Sequence, residues 1–178
     1  MNNLTVFCSS KNNINPIYFD QTIHLIKLID NKKFNLAYGG GTTGLMGQVR
    51  TTFINNGGKI ISSNVKHFVE ANVPDDYVFD NIDERQQKLI ELGNAYLILP
   101  GGYGTYFEML EVMTKNDIGE ASKPIFIFNC NNIFDNFINL IDNLIEEKFI
   151  TRDMDHIKVS VSDNPYELAN MINNYEFV

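Results

Sequence analysis

The chain has 178 residues, and its 44% hydrophobic and 20% charged residues are typical of a folded domain rather than a disordered chain. This length corresponds to one domain that spans residues 1–178. The 22 acidic and 14 basic residues give a formal net charge of −8, which argues against a nucleic-acid partner because lysine and arginine are needed to neutralise phosphates. No membrane span is expected, since no apolar run approaches about 20 residues.

The chain has two cysteines, Cys8 and Cys130, and both lie at the ends of apolar runs. Two distant thiols in a chain of this size favour a reducing compartment over a disulfide framework. The N-terminus has neither the basic segment nor the long apolar segment of a signal peptide. We therefore expect a cytoplasmic protein. No CxxC pair and no cluster of cysteine and histidine is present to indicate a metal site.

Short apolar runs typical of β-strands alternate with helical periodicity along the chain. Strands are predicted at 4–7, 34–38, 59–62, 77–79, 95–99, 124–128 and 157–161. Helical periodicity follows Pro16, Thr42-Thr43 and Asn164-Pro165, and it spans 82–92, 105–113 and 133–147. From 63 to 81 the pattern is weaker, and Val73-Pro74 favours a loop. Because strands that alternate with helices form right-handed βαβ units, we predict an α/β fold, a Rossmann-like doubly wound parallel sheet with helices on both faces.

The segment YGGGTTGLMG, residues 38–47, follows the second strand and opens a helix. Glycine lets the backbone approach a ligand closely, and a helix N-terminus offers free N–H groups and a partial positive charge. Gly40, Gly41 and Thr42 are therefore candidates to cradle an anionic oxygen, most naturally that of a phosphate. A tight strand-to-helix turn explains the same glycines equally well. The spacing matches neither a Walker loop nor GxGxxG, so standard ATP or NAD binding is not indicated.

A second glycine-rich segment, LPGGYGTYFE at 99–108, also joins an apolar strand to a helix. The glycines that free this loop are Gly101, Gly102 and Gly104. Thr105 is predicted to cap the helix and to offer a hydroxyl group. Glu108 is predicted in the first helical turn, where a carboxylate complements the helix dipole without any other role. In doubly wound sheets ligands bind beyond the carboxyl ends of the strands, so a second glycine loop at the same sheet edge favours a functional role.

Two further residues belong to the same predicted edge of the sheet. Ser9 ends the first strand, where its hydroxyl can donate to a ligand or simply form a turn. Arg85, in IDERQQKL, can pair at the surface with its neighbours Asp83 and Glu84. The fold offers a second interpretation, because the N-terminal end of its helix should lie near the carboxyl ends of the strands. Arg85 is then expected to face the loop that carries Glu108.

These motifs together resemble the LOG (Lonely Guy) family, whose members were long labelled lysine decarboxylases. The element GGGTTGLMG is complete at 39–47, and every fixed position of the family's PGGxGTxxE is present at 100–108. The segment VFCSS at 6–10 resembles the family's CGSS, and the later half of the chain also runs like the family. The resemblance therefore covers nearly the whole chain.

The resemblance implies phosphoribohydrolase chemistry, in which a nucleoside 5′-monophosphate is split into a free base and ribose 5-phosphate. In plant members the base is a cytokinin, and several bacterial members accept AMP. The same resemblance makes Arg85 and Glu108 the catalytic pair, while the glycine loops and Thr105 hold the phosphate and the ribose. It also implies a homodimer with sites near the subunit interface, and no metal or cofactor.

The chain departs from the family around the arginine and after the third strand. The family often has MHERK where this chain has IDERQ at 82–86, and the family's GVIP is replaced by SSNV at 62–65. These changes fall where the base pocket is expected, so base preference can differ while catalysis persists. The alternative is a nucleotide- or cofactor-binding protein without turnover. An interaction protein that uses only its dimer surface gives no reason for two ligand-type loops.

Overall fold

The computed structural model describes residues 1–69, 73 and 75–177, and in this part of the chain seven strands form one sheet in which every neighbouring pair is parallel. The strand order is β4-β3-β2-β1-β5-β6-β7. The strands are β1 (Asn2–Phe7), β2 (Phe34–Tyr38), β3 (Ile60–Val65), β4 (Tyr77–Phe79), β5 (Ala95–Ile98), β6 (Ile125–Phe128) and β7 (Val159–Ser162). The predicted α/β, doubly wound fold class is confirmed. Of the predicted loop at Val73-Pro74, Pro74 lies outside the described residues.

Helices connect the strands in the predicted order. They are α1 (Pro16–Leu28), α2 (Gly44–Asn55), α3 (Ile82–Leu92), α4 (Tyr103–Asp117), α5 (Asp135–Glu146) and α6 (Pro165–Asn173). Three of them start at an asparagine whose side chain accepts from a first-turn amide, namely Asn15, Asn81 and Asn164. None of the helices in the described ranges is long and apolar enough to cross a membrane.

Alternating side chains of the central strands build a core on each face of the sheet. On β1, Leu4 and Val6 belong to one cluster, which α1, α2 and α6 cover. Phe7 belongs to the other cluster, which α3, α4 and α5 cover. The central strands β5 and β6 are buried along their whole length, as expected for a parallel sheet with helices on both faces.

The predicted start of α4 is wrong by two residues. The helix begins at Tyr103 with Gly102 as its N-cap, so Thr105 is the third helical residue and not the cap. Thr105 is buried and packs against Gly101. A Cβ added to Gly101 would lie 2.0 Å from the Thr105 hydroxyl oxygen. Glu108 therefore lies in the second turn, and the helix dipole does not explain its position.

The strand β3 extends three residues beyond its predicted end at 62 because it gains a partner. Ser63, Asn64 and Val65 pair with Tyr77, Val78 and Phe79 of β4. The segment is polar but buried, so it shows no hydrophobic alternation. The Asp76 carboxylate accepts from both the backbone N–H and the hydroxyl of Ser62, at 2.8 and 3.1 Å, and ties the chain before β4 to this strand.

Candidate active site

The carboxyl ends of β1, β2, β3 and β5 surround a cavity of about 570 Å³. This volume lies within the range typical of small-molecule sites, roughly 300–1,000 Å³. Its walls come from the segments 8–11, 39–46, 64–68, 82–86 and 102–108. The structure thus brings together the three strand ends that the sequence singles out, together with the N-terminal part of α3.

Most of the residues predicted for the site line this cavity. They are Ser9, Gly41, Arg85, Gly102, Gly104, Thr105 and Glu108. Gly40, Thr42 and Gly101 are not among the lining residues. Gly40 has a φ of +80°, and an added Cβ there would lie 2.5 Å from an Asp75 carboxylate oxygen. Gly40 therefore lies in a tight turn that packs against neighbouring side chains, and its contact with an anionic group stays a prediction.

Arg85 and Glu108 form a buried ion pair at the wall of the cavity. The Nη1 atom of Arg85 donates to Oε1 of Glu108 at 2.7 Å, and the side chains are 9% and 8% exposed. The Nε atom of Arg85 donates to the Ser63 carbonyl at 3.2 Å, which fixes the guanidinium from the β3 side. Arg85 lies near the start of α3, and Glu108 lies in the second turn of α4. These two helices cover the same face of the sheet and hold the two side chains in one geometry.

Gly39 makes this arrangement of the arginine possible. A Cβ added at Gly39 would lie 1.8 Å from Nη2 of Arg85 and 3.1 Å from its Cζ, so any side chain there occupies the space of the guanidinium. The first glycine of the triple-glycine turn therefore provides room for Arg85. Space is the requirement at this position, whereas Gly40 requires a positive φ as well.

Burial dominates the electrostatics of the pair. Loss of solvent raises the pKa of Glu108 above its usual range, although the facing Arg85 guanidinium acts in the opposite direction. Burial, with a contribution from Glu108, also raises the pKa of the neighbouring Cys8 thiol. The thiol therefore stays protonated and is a poor nucleophile.

We predict that the Glu108 carboxyl of the ligand-free protein titrates above the range of exposed glutamates. Because burial disfavours the charged form, the folded chain holds this proton to a higher pH, and the carboxylate forms only as the pH rises through the raised pKa. A ¹³C-NMR titration of protein labelled at the glutamate carboxyl carbon measures this, with Glu108→Gln identifying the resonance. A midpoint at or below that of the exposed glutamates contradicts the prediction.

Among the helices that start at the cavity, α2 and α4 differ in how their first amides are used. In α2, the N–H of Gly44 donates to the Asn12 side chain at 2.8 Å and that of Met46 donates to the Ser9 carbonyl at 3.2 Å. In α4, the first amides have no intrahelical partner by geometry, and open space surrounds Gly102 and Gly104. The N-terminus of α4 is therefore the better place for an anionic group.

Several cavity residues were not among the predicted site residues. They are Lys11, Asn64, Phe68, Ile82, Gln86, Tyr103 and Phe107. Tyr103 and Phe107 lie within the second glycine-rich segment, and Asn64, Ile82 and Gln86 lie in the segments where the base pocket is expected. Ile82 and Gln86 are also spaced at i, i+3 and i+4 with Arg85 on α3. Only the tertiary fold brings Phe68 to the cavity. In the described ranges, no group of three or more His, Cys, Asp or Glu side chains could hold a metal ion.

The parallel sheet and the cavity at its carboxyl edge define a Rossmann-like α/β protein. Residues 46–172 match the family model described as "Possible lysine decarboxylase". The cytokinin riboside 5′-monophosphate phosphoribohydrolase LOG1 of Arabidopsis thaliana is 30% identical, over 97% of this chain and 83% of that protein. The corresponding enzyme LOG of Oryza sativa subsp. japonica is 32% identical, over 88% and 67% respectively. The chain therefore belongs to the LOG family, as its motifs predict.

Solved structures share the fold at low sequence identity. A structural genomics target, TM1055, superposes with a TM-score of 0.73 at 19% identity, over 98% of this chain and all of that one. The molybdenum cofactor binding protein of the phototrophic bacterium Rippkaea orientalis gives a TM-score of 0.66 at 17% identity, over 96% and 94%. At this level of identity these likenesses support the fold alone.

Proposed function

We propose that this protein is a phosphoribohydrolase that splits nucleoside 5′-monophosphates, of the cytokinin riboside or AMP type, into free base and ribose 5-phosphate. The observation that carries the proposal is the buried Arg85–Glu108 pair at the wall of a cavity of suitable size. Simple phosphate binding needs no carboxylate, and a carboxylate close to a phosphate is unfavourable without a partner. The Arabidopsis and rice relatives that are named for this activity support the same reaction.

The chemistry assigns a role to each member of the pair. Cleavage breaks the bond from C1′ to the base nitrogen, and the sugar passes through an oxocarbenium-like state that carries positive charge. The Glu108 carboxylate stabilises this charge and accepts a proton from the water whose oxygen bonds to C1′. The base leaves with the electron pair of the broken bond and takes up a proton. Arg85 holds the carboxylate in place through its charge-assisted hydrogen bond.

Two parts of the cavity wall favour opposite ends of the nucleotide. The N-terminus of α4, Ser9 and Lys11 line the cavity and suit a phosphate. The segment after β3 and the first turns of α3 also line it, and there Phe68 and Ile82 present apolar surface. A nucleotide with its phosphate at α4 and its C1′ beside Glu108 places its base against Phe68 and Ile82.

Product release from a panel of nucleoside 5′-monophosphates tests the proposal directly. The panel includes AMP and isopentenyl-AMP, and chromatography follows the free base while a coupled assay follows ribose 5-phosphate. We expect equal amounts of both products. Binding of nucleotides without release of base would instead support the alternative of a binding protein without turnover.

We further propose that the protein is a homodimer whose two subunits contact each other through α4. Three apolar side chains on this helix are solvent-exposed, namely Tyr103, Phe107 and Leu110, and Ile118 at its C-cap is exposed as well. Tyr103 is 99% exposed, and both Tyr103 and Phe107 also line the cavity. Tyr103, Phe107 and Leu110 are spaced at i, i+4 and i+7, and an exposed apolar stripe of this kind is typical of an interface. A second copy of the chain on this stripe would shield the cavity mouth from water.

The dimer proposal predicts that Leu110→Glu converts the protein to monomers, because a carboxylate is costly to bury in an apolar contact. Light scattering after size exclusion measures the mass. The matched control is Leu140→Glu on α5, because Leu140 is exposed to a similar degree, 51% against 45% for Leu110. Monomeric wild-type protein, or equal effects of the two substitutions, would argue against α4 as the interface.

A further inference from the structure

Gln86 is a buried amide side chain that the proposed mechanism does not use. It is 2% exposed and lines the cavity next to Arg85. Its Nε2 atom is buried and has no hydrogen-bond partner within the described part of the chain. Because buried polar groups in proteins are nearly always hydrogen-bonded, an unpaired amide at a cavity wall indicates that the cavity's ligand supplies the partner.

The position of Gln86 identifies the side of the ligand that it meets. Ile82, Arg85 and Gln86 follow at i, i+3 and i+4 spacing and share the face of α3 that borders the cavity. Arg85 is engaged with Glu108 and the Ser63 carbonyl. Gln86 therefore belongs to the part of the cavity wall that α3 contributes, together with Ile82.

We infer that Gln86 recognises the base of the nucleotide through its side-chain amide, an inference that rests on the proposed function. A carboxamide carries a donor and an acceptor side by side, and this pair matches the donor and acceptor atoms along the edge of a purine. It is neutral, so it has less attraction for a phosphate dianion than a lysine or arginine side chain has. With the phosphate at α4 and C1′ beside Glu108, the base is the part of the ligand within reach of Gln86.

Ligands with and without a base test the inference. Calorimetry measures binding of AMP, isopentenyl-AMP and ribose 5-phosphate to the wild type and to Gln86→Met, which keeps the length of the side chain and removes the amide. We expect Gln86→Met to weaken nucleotide binding by about tenfold, with ribose 5-phosphate binding unchanged because that molecule has no base. The matched control is Gln87→Met at the next position of α3, which is exposed and should affect no ligand.

A second variant, Gln86→Asn, retains the amide but retracts it by one methylene, and we expect the same selective loss. Melting temperatures show whether each variant is folded. Equal losses for nucleotide and ribose 5-phosphate would place Gln86 at the sugar or the phosphate and overturn the inference. Unchanged nucleotide binding, or a wild type that binds no nucleotide, would overturn it as well. Base-dependent binding through Gln86 without any release of base would contradict the proposed hydrolysis alone.

Discussion

We expect Glu108→Gln to lower the rate of base release by about 10²- to 10⁴-fold, the range found when a general base or an electrostatic stabiliser is removed. Glutamine has the shape of glutamate but carries no charge and accepts no proton at neutral pH. The oxocarbenium-like state then loses its facing negative charge, and the attacking water loses its base. Nucleotide binding should change little, because the phosphate and the base are held elsewhere in the cavity. Single-turnover rates and calorimetric affinities separate the two effects.

The stability of this variant needs its own measurement because the pair is buried. Leaving one charge of a buried pair without a partner costs about 3–5 kcal/mol in general. The substitution Glu108→Gln is expected to cost less, because the amide oxygen of the new side chain can still accept from Nη1 of Arg85. The matched control is Glu111→Gln, three residues further along α4 and outside the cavity wall. Wild-type rates of base release in Glu108→Gln would remove this carboxylate from the mechanism.

The sequence predicts the fold well because its local signals agree with one another. Apolar strands, helical periodicity and glycine turns recur in βαβ order, and the parallel sheet follows from that order. The prediction fails at β3 beyond residue 62, where Ser63 and Asn64 are polar yet buried. Their burial depends on β4 and on the carboxylates of Asp75 and Asp76, which accept from Asn64 and Ser62. Such contacts between distant residues leave no periodic pattern of apolar residues in the local sequence.

The candidate site is predictable in its parts but not in its geometry. The sequence places Arg85 near the loop of Glu108, and the structure brings the two side chains to 2.7 Å. It predicts Thr105 as a cap, but the structure packs Thr105 against Gly101 and starts the helix at Tyr103. The loop glycines leave several starts for α4 open, and the packing of Thr105 against Gly101 selects one of them.

The triple-glycine turn is another part of the site whose geometry the sequence does not predict. Its first residue, Gly39, is also where we expect the second large effect on the rate of base release. We expect Gly39→Ala to lower the rate of base release by about 10²-fold, the size of effect that a displacement of about 1 Å can have on a catalytic group. The new Cβ would lie 1.8 Å from Nη2 of Arg85, so the guanidinium must move away from its position beside Glu108. Overpacking of a buried site should also destabilise the fold, typically by about 1–3 kcal/mol. Chemical denaturation measures this loss.

A double-mutant cycle shows whether the clash with Arg85 is the cause. In an Arg85→Ala background the space above Gly39 is empty, so Gly39→Ala should then cost little stability, and the two substitutions should be strongly non-additive. Gly104→Ala is the matched control for adding a methyl group to a cavity glycine, since nothing lies within 4 Å of its added Cβ. Gly104 is helical, so alanine there should preserve or raise stability. Additive effects at Gly39 and Arg85 would instead mean that Gly39 is required by the turn itself and not by the guanidinium.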